Sequence, residues 1–269
     1  MKKYKMNLPN VLLILFITYL IVVIFIFFYQ RKLLYHPSEN NYLDETNLNH
    51  KIEKIYIQSD TELVSWYYNN NKSYKTILFF HGNAGKLDNR VYKLNELAKL
   101  NINYLIVAYR GFSGNQGKPS EEGIYKDSNA AKKWLNENGI NDKNIVLYGE
   151  SLGTAVAVDL ASKNNFAGII LESPFTSMIK LAKKYYPYLP VTILLKDKYE
   201  SENKLKKINA PILIMHGKKD TIVPFEMGKE MFNKSNSPKF KYFNEVDDHM
   251  MDYNTELISS IKDFIQSLN

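Results

Sequence analysis

Apolar segments alternate with amphipathic stretches through most of the 269-residue chain. After residue 75 the apolar segments are short and predict strands at 76–81, 103–109, 144–149, 168–172, 211–217 and 239–243. Between them, apolar residues at helical spacing predict helices near 87–100, 121–138, 152–164, 226–234 and 254–267. Most strand segments are too uniformly apolar for a sheet with one solvated face. The pattern therefore predicts an α/β fold with a mostly parallel, doubly wound sheet covered on both faces.

Two further features modify this alternation. The segments 51–58 and 62–68 are separated by turn residues and predict an antiparallel strand pair before the parallel sheet. After Pro174 the chain is longer than a single crossover between two strands requires. The sequence therefore predicts a short helical cap inserted into the sheet domain at about residues 176–210.

The N-terminal apolar segment differs from all others in length. Residues 11–29 are 19 positions without a charge, and as a helix they would span about 29 Å, close to the roughly 30 Å of a hydrocarbon core. A cleavable signal has an apolar region of about 7–15 residues followed by small residues, whereas QRKLLYHP follows here. We expect an uncleaved transmembrane anchor in residues 1–30 and one α/β domain in residues 31–269. A signal peptide and a buried core helix are the alternatives.

The charges that flank this segment predict its orientation. Lys2, Lys3 and Lys5 precede it, and Arg31 and Lys32 follow it. Because three positive side chains precede the segment and two follow it, the positive-inside rule favours a cytoplasmic N-terminus. The body of the protein would then lie on the non-cytoplasmic side of the membrane.

Composition and charge exclude several classes of function. The chain has no cysteine, which excludes a disulfide framework, a cysteine nucleophile and cysteine-ligated metal centres. It also lacks an H-E-x-x-H motif and a phosphate-binding loop, so we expect neither a metal nor a cofactor. The net charge of +7 comes from scattered lysines without the interleaved aromatic residues of a nucleic-acid platform. Two interpretations of the positive charge remain: a basic surface exposed to water, or a surface attracted to an anionic membrane.

One serine lies where chemistry would be expected. Ser151 stands between Gly149 and Gly153, at the point where a predicted strand changes into a predicted helix. Asp220 and His249 follow later strands, so all three lie at the carboxyl ends of strands, where α/β sheets carry their sites. A G-x-S-x-G motif alone is a weak signal, but this strand–turn–helix context is that of a nucleophile elbow.

Several motifs together resemble those of the membrane-anchored α/β-hydrolase-domain proteins of the α/β-hydrolase superfamily. They are HGNAG (81–85), YRGFSGNQGKPSEEGIYKD (109–127), YGESLG (148–153), LESPFTS (171–177), GKKDTIVP (217–224) and His249. The resemblance extends over nearly all of the chain after the anchor. It implies an α/β-hydrolase fold and a serine hydrolase with a Ser-His-Asp triad. Some members of that family remove fatty acyl groups from protein cysteines.

The expected roles follow from acyl-transfer chemistry. Ser151 Oγ attacks an acyl carbonyl, His249 takes up the hydroxyl proton as general base, and Asp220 orients the imidazole. The tetrahedral intermediate needs two donors for its oxyanion. The backbone N–H of Leu152, next to the nucleophile, is one of them, and the resemblance implies the backbone N–H of Asn83 as the other.

Other assignments remain open at this stage. They are a turn serine without a catalytic role, Asp220 as a helix cap, and Glu172, at the end of the strand before the cap, as the acid. Of the five histidines, only His249 lies C-terminal to the proposed acid. His81 and His216 precede glycines at strand ends, where a structural role is favoured.

The sequence thus predicts a membrane-anchored serine hydrolase that cleaves carboxylic esters or thioesters through an acyl-enzyme intermediate. The segment 176–210 carries eight lysines against three acidic residues and contains YYPYLPVTILL. Basic and aromatic residues together favour contact with a lipid bilayer, so lipids and acylated proteins are candidate substrates. A solvated lysine face is the alternative. The alternative functions are a serine peptidase and a non-catalytic binding module on the same fold.

Overall fold

The computed structural model describes residues 7–38, 47–236 and 238–268. Lys2, Lys3 and Lys5, on which the predicted membrane orientation depends, lie outside the described residues. Within the described ranges the chain forms ten strands: β1 (His36–Pro37), β2 (Glu53–Gln58), β3 (Glu62–Tyr68), β4 (Lys75–Phe80), β5 (Ala84–Gly85), β6 (Ile102–Val107), β7 (Ile145–Glu150), β8 (Gly168–Glu172), β9 (Ile212–Gly217) and β10 (Lys239–Asn244). The same ranges contain nine α-helices: α1 (Leu8–Leu34), α2 (Val91–Leu97), α3 (Glu121–Glu137), α4 (Leu152–Ala161), α5 (Met178–Tyr185), α6 (Val191–Leu194), α7 (Ser201–Leu205), α8 (Phe225–Lys234) and α9 (Thr255–Gln266).

Eight of these strands form the central sheet, in the order β10-β9-β8-β7-β4-β6-β3-β2. Neighbours from β10 to β6 are parallel, whereas β3 runs antiparallel to both β6 and β2. The predicted mostly parallel sheet with an antiparallel pair before it is therefore confirmed. Strands β4 and β7 are neighbours in the sheet. After β4 the chain continues to β6 on one side of this pair, and after β7 it continues to β8 on the other side. A crevice thus forms at the carboxyl ends of these two strands, where open α/β sheets place their ligands.

Both faces of the central strands β6, β7, β8 and β9 are buried, as their apolar sequences require, whereas the edge strands β2 and β10 are mostly half-buried or exposed. Along β4, Leu78 and Phe80 belong to the core on one face, and Ile77 and Phe79 belong to the core on the other face. Helix α4 is buried along its whole length and packs against β7. Ser151, which joins β7 to α4, is therefore held between two elements of the core.

Helix α1 contains the long apolar segment and extends beyond it at both ends. Asn7 caps its start by accepting a hydrogen bond from the backbone N–H of Asn10 (3.2 Å). Its 27 residues include an 18-residue window with a mean hydropathy of 3.3 and no buried residue. The helix is long and apolar enough to cross a membrane. It ends where Tyr35 becomes extended, with Arg31 and Lys32 in its last turn.

The C-terminal end of α1 is bound to the cap. The side-chain amide of Gln30 donates to the carbonyl of Leu194 (3.0 Å) and accepts from the backbone N–H of Lys196 (2.8 Å). Arg31 forms a two-point ion pair with Asp197, with N–O distances of 2.8 and 2.9 Å. These contacts fix the last two turns of α1 on the domain.

The predicted helical cap is present and consists of α5, α6 and α7, which lie between β8 and β9. The phenol of Tyr185, at the end of α5, donates to the carbonyls of Thr221 and Ile222 (2.8 and 3.0 Å). The cap therefore lies beside the loop that follows β9, at the carboxyl edge of the sheet.

Candidate active site

Ser151 occupies a strained turn between β7 and α4. Its backbone has φ 50° and ψ −113°, a conformation that costs free energy for any residue with a side chain. A Cβ at Gly153 would overlap the carbonyl oxygen of Phe80, and a Cβ at Gly149 would overlap the backbone of Thr154. The two glycines therefore allow α4 to approach the ends of β4 and β7 while the serine is raised above them.

The structure brings Ser151, His249 and Asp220 together. His249 Nε2 lies 2.9 Å from Ser151 Oγ, and His249 Nδ1 lies 2.8 Å from Asp220 Oδ2. A carboxylate accepts hydrogen bonds and does not donate them. Nδ1–H therefore donates to Asp220, which leaves Nε2 free to accept the hydroxyl proton of Ser151.

Asp220 has a full set of hydrogen-bond donors. Its Oδ1 accepts from the backbone N–H groups of Ile222 and Val223, both at 2.8 Å. Its Oδ2 accepts from His249 and from the buried ring of His216, which lies 3.1 Å away. Burial by itself would raise the pKa of this carboxyl, but the hydrogen bonds from His216 and His249 outweigh it and hold the pKa well below its usual range.

The loop that carries His249 is fixed by contacts from two strand ends. Ser173 Oγ, just after β8, donates to the carbonyl of His249 (3.1 Å). The backbone N–H of Lys219, just after β9, donates to the carbonyl of Asp247 (3.0 Å). The imidazole is thus positioned by backbone contacts on both sides as well as by Asp220.

The loop after β4 lies against the nucleophile. A Cβ at Gly82 would be 3.6 Å from the Cβ of Ser151, so the next peptide, that of Asn83, begins beside the elbow. The carbonyl of Asn83 accepts from His36 N–H (2.8 Å), and its side chain donates to the carbonyl of Leu34 (2.7 Å). These contacts hold residue Asn83 in place without using its N–H. Leu152 is the first residue of α4, so its N–H has no acceptor within the helix.

A cluster of buried charges lies beneath the elbow. Glu150 Oε1 accepts from Arg90 Nη2 (2.6 Å) and from the backbone N–H of Gly82 (3.2 Å). Lys93 Nζ donates to Glu150 Oε2 and to Glu172 Oε1, both at 2.7 Å. The cluster therefore joins the residue before the nucleophile to the loop after β4 and to the end of β8.

The members of this cluster hold one another in their charged forms. Burial alone would lower the pKa of Lys93, but the carboxylates of Glu150 and Glu172 outweigh it and raise that pKa. Burial alone would raise the pKa of Glu150, but the charges of Arg90 and Lys93 outweigh it and hold that pKa well below its usual range. Sequence reasoning missed these roles, because Arg90 and Lys93 stand in a polar stretch of helix typical of a solvated surface.

Glu172, the alternative acid, belongs to this cluster. Its Oε2 accepts from the phenols of Tyr148 (2.6 Å) and Tyr253 (2.8 Å), and burial raises the pKa of both phenols well above the usual value. Its other oxygen is bound by Lys93. The described geometry therefore favours Asp220 as the partner of the histidine.

His81 has the environment of a structural residue. It is fully buried, and its Nδ1 lies 2.7 Å from the carbonyl of Gly82. Burial, helped by the charge of Arg90, lowers its pKa to about 3, so the ring is neutral and Nδ1–H is the donor. Among the described residues, no group of three or more His, Asp or Glu side chains could hold a metal ion.

Comparison with known proteins agrees with this fold. The model of the prolyl oligopeptidase family matches residues 92–255. A protein of Mycobacterium tuberculosis described only as uncharacterized is 34% identical over 223 residues, which cover 81% of this chain and 79% of that protein. Protein bem46 of Schizosaccharomyces pombe is 32% identical over 240 residues, which cover 83% and 80%. Human α/β-hydrolase domain-containing protein 17B is 35% identical over 173 residues, 61% of this chain but only 56% of its own length.

Solved structures show the same architecture. The esterase Pf2001 of Pyrococcus furiosus superposes with a TM-score of 0.71 at 19% identity, over 87% of this chain and 98% of the esterase. Likeness at that identity establishes the fold alone. Together with the match to the family model and the relatives above 30% identity, it confirms the predicted resemblance. The chain belongs to the α/β-hydrolase superfamily, as a hydrolase of the α/β-hydrolase-domain type that matches the prolyl oligopeptidase family model.

Proposed function

We propose that the protein is a membrane-anchored serine hydrolase that cleaves carboxylic esters or thioesters. The observation that carries this proposal is the continuous set of hydrogen bonds from Ser151 through His249 to Asp220, with distances of 2.9 and 2.8 Å. The strained backbone conformation of Ser151 supports the proposal, because residues in such conformations cluster at functional sites, where the surrounding structure holds them in place.

The reaction would proceed in two halves. His249 Nε2 takes the proton of Ser151 while Oγ attacks the acyl carbonyl, and the tetrahedral oxyanion accepts from the N–H groups of Asn83 and Leu152. His249 then gives its proton to the leaving alkoxide or thiolate, and the acyl group remains on Ser151. Water activated by the same imidazole releases the acid. Asp220 stays ionised throughout and stabilises the imidazolium.

Membrane attachment is the second part of the proposal. Helix α1 has the length and apolarity of a membrane span, and the cap beside it exposes Lys183, Lys184 and Tyr188. Lysine and tyrosine at one surface suit the headgroup region of a bilayer. With a cytoplasmic N-terminus, the hydrolase domain would lie on the non-cytoplasmic side.

A serine peptidase is the second candidate, and the match to the prolyl oligopeptidase family model favours it. Ester and peptide cleavage share the acyl-enzyme and differ in the leaving group and the shape of the pocket. The exposed apolar surface of α1 supports an acyl ester or thioester as the substrate over a peptide.

A fluorophosphonate probe applied to the full chain in detergent micelles tests the proposal. We expect covalent labelling of the wild type and none of Ser151→Ala. A parallel panel of p-nitrophenyl esters, acyl thioesters and peptide amides then identifies the bond that is cleaved. An unlabelled wild type would support a non-catalytic module, and turnover of the amides alone would support the peptidase.

A further inference from the structure

His216 is a buried histidine to which the proposed reaction assigns no step. It is the fifth residue of β9, and its side chain is fully buried. A buried imidazole needs hydrogen-bond partners within the fold. Its Nε2 has two of them, Asp220 Oδ2 at 3.1 Å and the carbonyl oxygen of Val223 at 3.0 Å. Both partners lie in the loop that carries the proposed catalytic acid.

These two partners determine which ring nitrogen carries the proton. Carboxylate and carbonyl oxygens only accept hydrogen bonds, so Nε2 of His216 is the donor and shares its proton between them. Nδ1 has no hydrogen-bond partner within the part of the chain that the structure describes. Gly228 of α8 packs against that side of the ring, where a Cβ would come within 2.1 Å of Nδ1. The fold therefore favours the tautomer that presents Nε2–H to Asp220.

The acceptor positions of the Asp220 carboxylate are all filled. A carboxylate has about four such positions, two on each oxygen. The backbone N–H groups of Ile222 and Val223 occupy Oδ1, both at 2.8 Å. His216 occupies one position on Oδ2 and leaves the other to His249, at 2.8 Å. The buried donor thus restricts the direction in which Oδ2 meets the catalytic imidazole.

His216 also connects the acid to the sheet. The two donors on Oδ1 belong to the same loop as Asp220, so by themselves they hold the carboxylate relative to the loop alone. His216 lies in β9 and binds both the carboxylate and the carbonyl of Val223, so it holds the loop and the acid on the strand. Burial would raise the pKa of the Asp220 carboxyl, and the hydrogen bond from His216 is among the contacts that lower it.

We propose that His216 is a positioning residue of the triad, whose Nε2–H holds the Asp220 carboxylate so that Oδ2 meets Nδ1–H of His249. It touches no reacting atom and acts through Asp220. The inference rests on the proposed hydrolase function, because the position of the carboxylate affects the rate only where the imidazole takes up a proton. A hydrogen bond to a charged group corresponds to about ten- to hundredfold in an equilibrium constant, and a loss of that size is expected in kcat.

Two amide variants that differ by one methylene test the contact. In His216→Gln the amide nitrogen reaches the place of Nε2, whereas in His216→Asn it reaches only that of Nδ1, beside Gly228. In ester hydrolysis by the full chain in detergent micelles, His216→Asn should lower kcat about ten- to hundredfold and leave KM within about twofold. His216→Gln should restore kcat to within about threefold of the wild type. An equal loss in the two variants, or a loss confined to KM, would overturn the proposal.

A double-mutant cycle shows whether His216 acts through Asp220. Asp220→Asn alone should cost about 10⁴ in kcat. With the carboxylate already gone, adding His216→Asn should lower kcat by less than about threefold, because residues that act as a unit are not additive. Two independent losses would instead multiply to about 10⁵–10⁶, and that result would contradict a role through the acid.

Gly228→Ala displaces the ring without changing it, and it keeps the proposal testable if His216→Asn does not fold. Alanine is ordinarily favoured over glycine inside a helix, so a loss here comes from the overlap with Nδ1 of His216. We expect kcat to fall about tenfold or more. Lys229→Ala, at the exposed next position of α8, is the matched control and should stay within about twofold. Full activity of Gly228→Ala would refute the dependence on the ring.

Nitrogen-15 NMR of the five histidine rings does not depend on turnover. In Ser151→Ala we expect His216 to be protonated at Nε2, and the Nδ1–H signal of His249 to shift when His216→Asn is added but not when His216→Gln is added. The two possible failures are distinguishable. A wild type inactive toward every ester, thioester, amide and fluorophosphonate would refute the hydrolase, whereas a His216 protonated at Nδ1 alone in an active enzyme would refute the positioning role.

Discussion

Replacing Lys93 by methionine would test the role of the buried charges beneath the elbow. The Lys93 side chain is fully buried and pairs with Glu150 and Glu172 at 2.7 Å each. Methionine preserves most of the apolar stem and removes the ammonium. Glu150 would keep its contact with Arg90, whereas Glu172 would keep only the phenols of Tyr148 and Tyr253.

The expected loss is large because two carboxylates would stay buried without their shared cation. Removing one partner of a buried pair costs about 3–5 kcal/mol. A domain has about 5–15 kcal/mol of unfolding free energy, so Lys93→Met would lose a substantial part of it. At about 2–4 °C per kcal/mol for a chain of roughly 150–250 residues, the Tm should fall by about 6–20 °C.

The loss should also depend on pH. The folded pKa of Glu150 is depressed, so its contribution is present above the unfolded value of about 4.3 and is lost as the pH falls through the folded pKa. The folded pKa of Lys93 is raised, so its contribution is present below about 10.4 and is lost as the pH rises through the folded value. The difference between wild type and variant should be largest between about pH 7 and 9 and narrow in acid, because the buried carboxylates left without Lys93 take up protons there.

Urea unfolding of the full chain in detergent micelles, followed by the fluorescence of Trp66 and Trp134, measures this difference. Lys99→Met is the matched control, because Lys99 is 63% exposed and its pair with Glu96 is worth at most about 1 kcal/mol. A loss below about 1 kcal/mol in Lys93→Met, or a loss that does not narrow in acid, would show that the cluster does not stabilise the fold as argued.

Three further outcomes are expected. Ser151→Ala and His249→Ala should each lower kcat by up to about 10⁶, and Asp220→Asn by about 10⁴, in steady-state ester hydrolysis; near-wild-type turnover in any of them would remove that residue from the mechanism. Gly153→Ala should destabilise the domain by about 3 kcal/mol or more in urea unfolding, because its Cβ would overlap a carbonyl of β4. Gly139→Ala, which has open space around it but a φ of +83°, should cost only about 1 kcal/mol. The kcat/KM profile should show no inflection from Asp220 between about pH 4 and 9, since its depressed pKa keeps the carboxyl ionised throughout that range; a ¹³C NMR titration of the wild type in which the Asp220 carboxyl changes its protonation within that range would contradict this.

The central parallel strands could be predicted because each is a short apolar run with both faces buried, whereas β10, at the edge of the sheet, contains two lysines and no buried residue. The sequence alone also shows the glycines beside Ser151 and the chain order of Ser151, Asp220 and His249. The two-residue strands β1 and β5 could not be predicted in the same way. His36–Pro37 and Ala84–Gly85 pair because α1 ends beside the loop after β4, which is a tertiary contact without a local signal.

The buried charges could not be predicted for a related reason. Glu150 and Glu172 are register partners in β7 and β8, so the fold places two carboxylates side by side at the ends of adjacent strands. Each residue separately looks like the polar end of an apolar strand. Only the pairing of these strands creates the need for a cation, and Lys93 meets it from a helix 57 positions before Glu150.

The contacts of α1 connect the proposed anchor to the candidate site. Asn83, the proposed oxyanion donor, is held by Leu34 at the end of α1 and by His36 just after it. On its other side, Gly82 is held by Glu150. The peptide that we propose as an oxyanion donor is therefore positioned both by α1 and by the buried charges. A tether would need no such contacts, so α1 is structurally part of the candidate site, and its removal would disturb the geometry at Asn83 as well as the proposed membrane attachment.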